Sequence, residues 1–194
     1  MPRRVVASTF VTLDGYMDEP GRWSFPFWSK EGSDFKAQVL FASDALLLGR
    51  ITYEGFAAAW PTMQGTGEFG EKMNSIPKYV ASRTLETATW NASIIKGDVA
   101  EAVRQLKQPD GGDLLIGGSG QLIDYLSGHD LIDEYRLMIC PLVLGGGEKR
   151  LFRHAPKRTL QLVDSVTFPT GVVVITYHPA AVPAAPDAPA ARER

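Results

Sequence analysis

Strand-length apolar runs that alternate with segments of helical period predict an α/β domain, with a mixed, mainly parallel sheet, helices on both faces and a C-terminal antiparallel hairpin. Three features carry that prediction. Runs such as Leu46-Leu47-Leu48 and Leu114-Leu115-Ile116 are short and continuously apolar, as strands buried on both faces are. Each is followed by a glycine and then by a segment with helical spacing. The last two β-rich runs are joined by Pro169-Thr170-Gly171, a turn too tight for anything but a hairpin.

Taken in order, residues 4–11 read as a buried strand that ends at the turn Leu13-Asp14-Gly15. Residues 19–30 place Pro20, Gly21 and Pro26 among Trp23, Phe25, Phe27 and Trp28, and read as an irregular loop that covers something apolar. Ser33 is an N-cap, with a helix over 34–43. A strand over 45–49 and a helix over 53–60, stopped by Pro61, come next. The glycines of 64–70 predict a mobile loop, and 78–82 and 93–96 two further strands. Asp98 caps a helix reaching about residue 108, with Val99, Val103 and Leu106 on one side. Strand 114–116, helix 121–127 and strand 133–140 repeat the alternation, and 159–168 with 172–177 form the hairpin. The expected organisation is one domain, 1–178, and a disordered Ala/Pro-rich tail, 179–194.

The composition narrows the function. With 44% apolar and 22% charged residues the 194-residue chain has the balance of a single globular domain. A net charge of −2 argues against a non-specific nucleic-acid binder, so an anion site has to be local. No apolar run reaches membrane-spanning length, and the start of the chain lacks a signal-peptide core. The single Cys140 can make no internal disulfide, which fits a cytoplasmic setting. One cysteine and the scattered His129, His154 and His178 cannot supply a zinc set, so no metal is expected.

The chemistry-bearing pattern is the run Ile116-Gly117-Gly118-Ser119-Gly120-Gln121-Leu122, where a strand passes through glycines into a helix. Without Cβ atoms the backbone can approach a phosphate, and first-turn N–H groups with the helix dipole favour an anion. The G-x-G-x-x-G dinucleotide fingerprint is not met, because Ile123 stands where its third glycine belongs. Gly49-Arg50-x-Thr52 and Ser82-Arg83 offer guanidinium and hydroxyl groups at two other strand ends. Gly145-Gly146-Gly147 reads as a loop of little functional weight.

These motifs, with Pro141-Leu142-Val143-Leu144 before the second glycine run, Leu151-Phe152 after it and the early Ser8-x-x-x-x-Leu13-Asp14-Gly15, resemble in order the dihydrofolate-reductase-like superfamily. The branch they are most similar to is the riboflavin-biosynthesis reductase, the RibD C-terminal domain, as a stand-alone bacterial member without the fused deaminase. The resemblance implies an NADPH-dependent reductase of a small heterocyclic substrate, a pyrimidine-type riboflavin precursor or a dihydrofolate-like pterin. A non-catalytic NADP-binding or sensing module is the alternative.

By that resemblance Gly49, Arg50, Thr52, Ser82 and Arg83 would hold the 2′-phosphate, and Gly117, Gly118, Ser119, Gly120, Gln121 and Leu122 the pyrophosphate. Ala7, Thr9, Asp14 and Gly15 would border the nicotinamide. A cis peptide is expected at Gly117-Gly118. Folate reductases carry a carboxylate on the helix before the Gly-Arg strand, which makes Asp34 the expected catalytic acid, with Asp14 as the other choice. Trp23 and Phe25 would either close the substrate pocket or pack into the core. The resemblance also implies a homodimer.

Overall fold

The computed structural model describes residues 1–180. Eight strands form one sheet: β1 Val5–Thr12, β2 Ser43–Gly49, β3 Lys78–Ala81, β4 Ala92–Ile95, β5 Asp113–Ile116, β6 Glu134–Cys140, β7 Leu160–Thr167 and β8 Val173–Pro179. Helices α1 Pro20–Trp23, α2 Lys30–Phe41, α3 Arg50–Ala59, α4 Gly67–Ser75, α5 Val99–Lys107 and α6 Gly120–Gly128 connect them.

The strand order is β4-β3-β2-β5-β1-β6-β8-β7. Pairings from β4 through to β6 are parallel, whereas β8 runs antiparallel to both β6 and β7. The mainly parallel sheet with a closing antiparallel hairpin is therefore present. Strand β1 lies near the middle, which explains its β-branched sequence: a strand covered on both faces has no solvent side to make polar. At its start Arg4 forks onto Asp113 at 2.9 and 3.0 Å and reaches Glu134 at 3.0 Å, tying the first residues of β5 and β6 to either side of β1.

Both faces are covered. Leu47, Ile116, Val5 and Ala7 pack against Ala100 and Val103 of α5 and Leu122, Ile123 and Leu126 of α6. On the other face Leu46, Leu48 and Leu115 meet Val39 and Leu40 of α2, Tyr53 of α3 and Met73 of α4. A separate cluster on Met138, Cys140, Phe168, Val172 and Val174 gathers Phe10, Trp23, Phe27 and Phe35. Each fully buried Leu, Ile or Val contributes about 1.5–3 kcal/mol.

Several boundaries differ from the sequence reading. Helix α2 begins at Lys30, four residues before the expected start, because Ser29 and not Ser33 caps it by accepting from the Gly32 amide. Helix α3 begins at Arg50, directly after the strand. The stretch predicted as a mobile loop over 64–70 runs into α4, whose Gly70 and Met73 are buried. Residues 19–30 are not irregular throughout: Pro20 starts α1 and Phe25–Phe27 form a 3-10 turn. Pro179 ends β8 rather than opening a tail, and the rest of the expected disordered tail, 181–194, lies outside the described residues.

Candidate functional site

Strands β2 and β5 are hydrogen-bonded neighbours, yet the helices that follow them leave toward opposite faces, α3 onto the Leu46 and Leu48 side and α6 onto the Leu47 and Ile116 side. Diverging connections leave a crevice beyond the strand ends, where ligands of open α/β sheets bind. The two helix starts touch there. A Cβ on Gly49 would collide with the Ser119 hydroxyl, and one on Gly118 would stand 3.9 Å from the Thr52 methyl. No side chain caps either α3 or α6, so first-turn amides of both face this crevice without a side-chain acceptor. Strand β3 lies on the far side of β2 with Ala81 opposite Gly49, which brings Ser82 and Arg83 to the same end of the sheet as Arg50.

Arg50, Ser82 and Gly118 thus share one edge of the sheet. Among the described residues Arg50 makes only an exposed ion pair with Glu54, at 3.1 Å, of the kind worth little and easily exchanged. The Ser82 hydroxyl accepts from the amides of Thr84 and Leu85, which orders the turn and leaves its proton free to donate. Gln121 is exposed at the start of α6, whereas the Leu122 side chain is buried and its amide donates to the Ser119 carbonyl at 3.0 Å, which corrects the expectation that Leu122 contacts a ligand. The Gly117-Gly118 peptide is not cis, as no peptide is among the described residues. The sharp turn is made instead by positive φ at Gly118 (+123°) and Ser119 (+73°), the first of which suits glycine alone.

On the other side of β5, Ala7 and Thr9 of β1 are buried, and Gly15 turns the chain at φ +89°. Asp14 is placed differently from an acid catalyst. It accepts from the Thr12 hydroxyl at 2.6 Å and from the amides of Leu144 and Gly145 at 3.1 and 2.8 Å. Led by the Thr12 contact, these bonds hold its carboxyl down to about 2. An acid so strong carries no proton to give at neutral pH. Asp18 likewise accepts from the amides of Glu148 and Lys149. The glycine loop after β6 is therefore clipped to the turn after β1 by two carboxylates, a role the sequence reading did not assign.

Asp34 also stands away from the expected place. It lies on the outer face of α2, 63% exposed, and pairs with Lys30 at 2.5 Å. The inner stripe of the helix is Gly32, Phe35, Lys36, Val39 and Leu40. With Phe35, Val39 and Leu40 turned inward, Asp34 falls on the solvent side of the helix together with Lys30 and Gln38. Of the aromatic pair, Trp23 packs on the Phe168 cluster and donates to the Asp18 carbonyl, but Phe25 is 74% exposed. A cavity of about 430 Å³ near Asp130, Asp133, Arg158 and His178 lies at the opposite end of the strands, away from the crevice.

The sequence matches the RibD C-terminal domain over residues 3–174. The chain belongs to this family. It is 33% identical over 183 residues to the uncharacterized protein YyaP of Bacillus subtilis (strain 168), covering 91% of this chain and 95% of that protein. Its fold is shared with a candidate riboflavin biosynthesis protein from Shewanella sp. PV-4, with TM-score 0.74, 19% identity and coverage of 93% and 100%. A dihydrofolate reductase from Enterococcus faecalis complexed with NADP(H) also shares it, with TM-score 0.62, 16% identity and coverage of 93% and 100%. Membership of the RibD C-terminal family places the chain among proteins of reductase type and gives it the dihydrofolate-reductase-like architecture. All three strand ends of the crevice fall within the family match.

Proposed function

We propose that this RibD C-terminal family member is an NADPH-dependent reductase of a small heterocyclic acceptor, a pyrimidine-type riboflavin precursor or a dihydrofolate-like pterin. The observation that carries the reading is the meeting of two uncapped helix starts, Gly49–Arg50 and Ser119–Gly120, beside Ser82 and Arg83. That arrangement suits a ligand with two separated phosphate groups. Amides at 118–121 would take the pyrophosphate, while Arg50 and Arg83 with the hydroxyls of Thr52 and Ser82 would take a 2′-phosphate. Bound there, NADPH supplies a hydride. The chain has to position the acceptor, exclude water and deliver a proton. The buried β1 and the clipped loop after β6 give the nicotinamide end a rigid border at Ala7, Thr9 and Gly15.

We further propose a homodimer acting in the cytoplasm on a small-molecule substrate. No helix among the described residues is long and apolar enough to cross a membrane. A binding module without turnover is the second reading, favoured by the placement of Asp14 and Asp34, neither of which is poised to hand a proton to an acceptor.

Calorimetric titration of NADPH and NADH into the parent and Arg50→Ala tests the cofactor assignment. Arg50→Ala should lose about 1.5–3 kcal/mol toward NADPH and little toward NADH. Equal losses for the two would remove Arg50 from the 2′-phosphate. Loss of reduced-nicotinamide absorbance across a panel of pterins and pyrimidines separates the readings, because a binding module takes up NADPH and oxidises none.

A further inference from the structure

The diphosphate bridge of a nicotinamide cofactor is anionic on both phosphates, whereas a helix start returns only about half a unit of positive charge. The clip between the two loops sharpens that imbalance, because the carboxylates of Asp14 and Asp18 stand in the turn that borders the crevice. In the cofactor reading Arg50 and Arg83 serve the 2′-phosphate, which leaves the diphosphate without a cation.

The clipped loop supplies one at Arg150. Its backbone forms an antiparallel bridge with Tyr16, flanked by the Met17 amide donating to the Lys149 carbonyl at 2.8 Å and the Leu151 amide donating to the Gly15 carbonyl at 3.0 Å. The two ends of this residue touch different parts of the crevice. A Cβ on Gly120, the first residue of α6, would stand 3.5 Å from the Arg150 carbonyl, and one on Gly15 would stand 3.7 Å from its guanidinium. The side chain therefore runs from the start of α6 to the turn after β1, along the line between the expected diphosphate and nicotinamide positions.

The guanidinium is held there and still free to bind. It lies over the Tyr16 ring, 5.4 Å from the ring centre, and one terminal nitrogen donates to the Asp14 carbonyl at 3.3 Å. Among the described residues no carboxylate pairs with it, and most of its N–H groups face solvent without an acceptor. A guanidinium fixed in place with open donors is preorganised for an oxyanion.

We propose that Arg150 binds the diphosphate bridge of the cofactor together with the first-turn amides of α6, a contact common to NADPH and NADH. This rests on the cofactor reading, and it gives Arg150 a different counterpart from Arg50, whose 2′-phosphate NADH lacks.

Calorimetric titrations of NADPH and NADH into the parent, Arg150→Gln and Arg150→Lys test the assignment. Arg150→Gln should weaken both cofactors by the same factor, about tenfold or more, and Arg150→Lys should regain most of that loss. Added salt should weaken NADH binding to the parent more steeply than to Arg150→Gln, which has one charge contact fewer to screen. Proton–nitrogen NMR supplies a reading that a merely structural arginine would not move: the Arg150 Nε–H resonance, assigned by its absence in Arg150→Lys, should shift when NADP⁺ is added. In free Arg150→Gln the Leu144 and Gly145 amides should keep their parent positions, because the clip itself is intact. Unchanged cofactor affinity in Arg150→Gln, a loss confined to NADPH, a loss that comes with displaced clip amides, or an unmoved Nε–H resonance overturns the assignment. A parent that binds neither cofactor overturns the cofactor reading itself, so the two failures are told apart.

Discussion

Asp14 shows how a single carboxylate can be diverted from chemistry to architecture. Its oxygens hold the amides of Leu144 and Gly145 and the hydroxyl of Thr12, so the ionised form is the one the fold selects. The folded value, about 2, is below the ordinary 3.8. The contribution is therefore complete above about pH 4 and lost as pH falls toward 2, because protonation removes the charge that strengthens the bonds to both amides. A ¹³C NMR titration of the Asp14 carboxyl should show a midpoint near 2 with the Gly145 amide shifting in step. A midpoint at the ordinary carboxylate value would mean that the loop is not held this way. Residue type and turn context made Asp14 legible in the sequence, but its two amide partners lie about 130 positions away along the chain, where no local pattern reaches.

At the scale of the element, α2 shows how a cap and one aromatic contact fix which side chains face the sheet. Its seat on the sheet is set at the N-terminus by the Ser29 hydroxyl and on its flank by Phe35 against Phe168, with ring centres 6.4 Å apart. Ser29→Ala should destabilise the protein by about 1 kcal/mol, read from a chemical-denaturation curve, by freeing the Gly32 amide at the first turn. No change would mean that water satisfies that amide equally well. The crevice helices follow the opposite logic: α3 and α6 lack side-chain caps, which leaves their first-turn amides for a ligand. Existence and type of most elements were readable from period and composition. Helix starts were not, because Ser29 and Ser33 are equally good caps on paper and only the packing of Gly32, Phe35 and Lys36 against the sheet chooses between them.

For the whole molecule the unprotected feature is β7, an edge strand on which Leu162, Val163 and Val166 are 53%, 51% and 46% exposed. An apolar edge left open invites pairing with another chain. It is the surface on which the proposed homodimer would close. Sedimentation velocity should give a dimer for the parent and a monomer for Val163→Lys combined with Val166→Lys, with far-UV circular dichroism unchanged. A monomeric parent would reject the dimer and leave β7 as an ordinary edge.

The α/β class, the ordered strand ends with their glycines and guanidinium groups, and through them the family, are carried by local signals of period, turn chemistry and motif order, all of which can be read along the chain. That β5 inserts between β2 and β1, which brings Gly49 against Ser119 and opens the crevice, comes from long-range packing. So does the outward turn of Asp34, which leaves Phe35, Val39 and Leu40 against the sheet. Both outcomes turn on strand order and helix rotation, which are settled by how much apolar surface each arrangement buries across the sheet and not by any run of neighbouring residues.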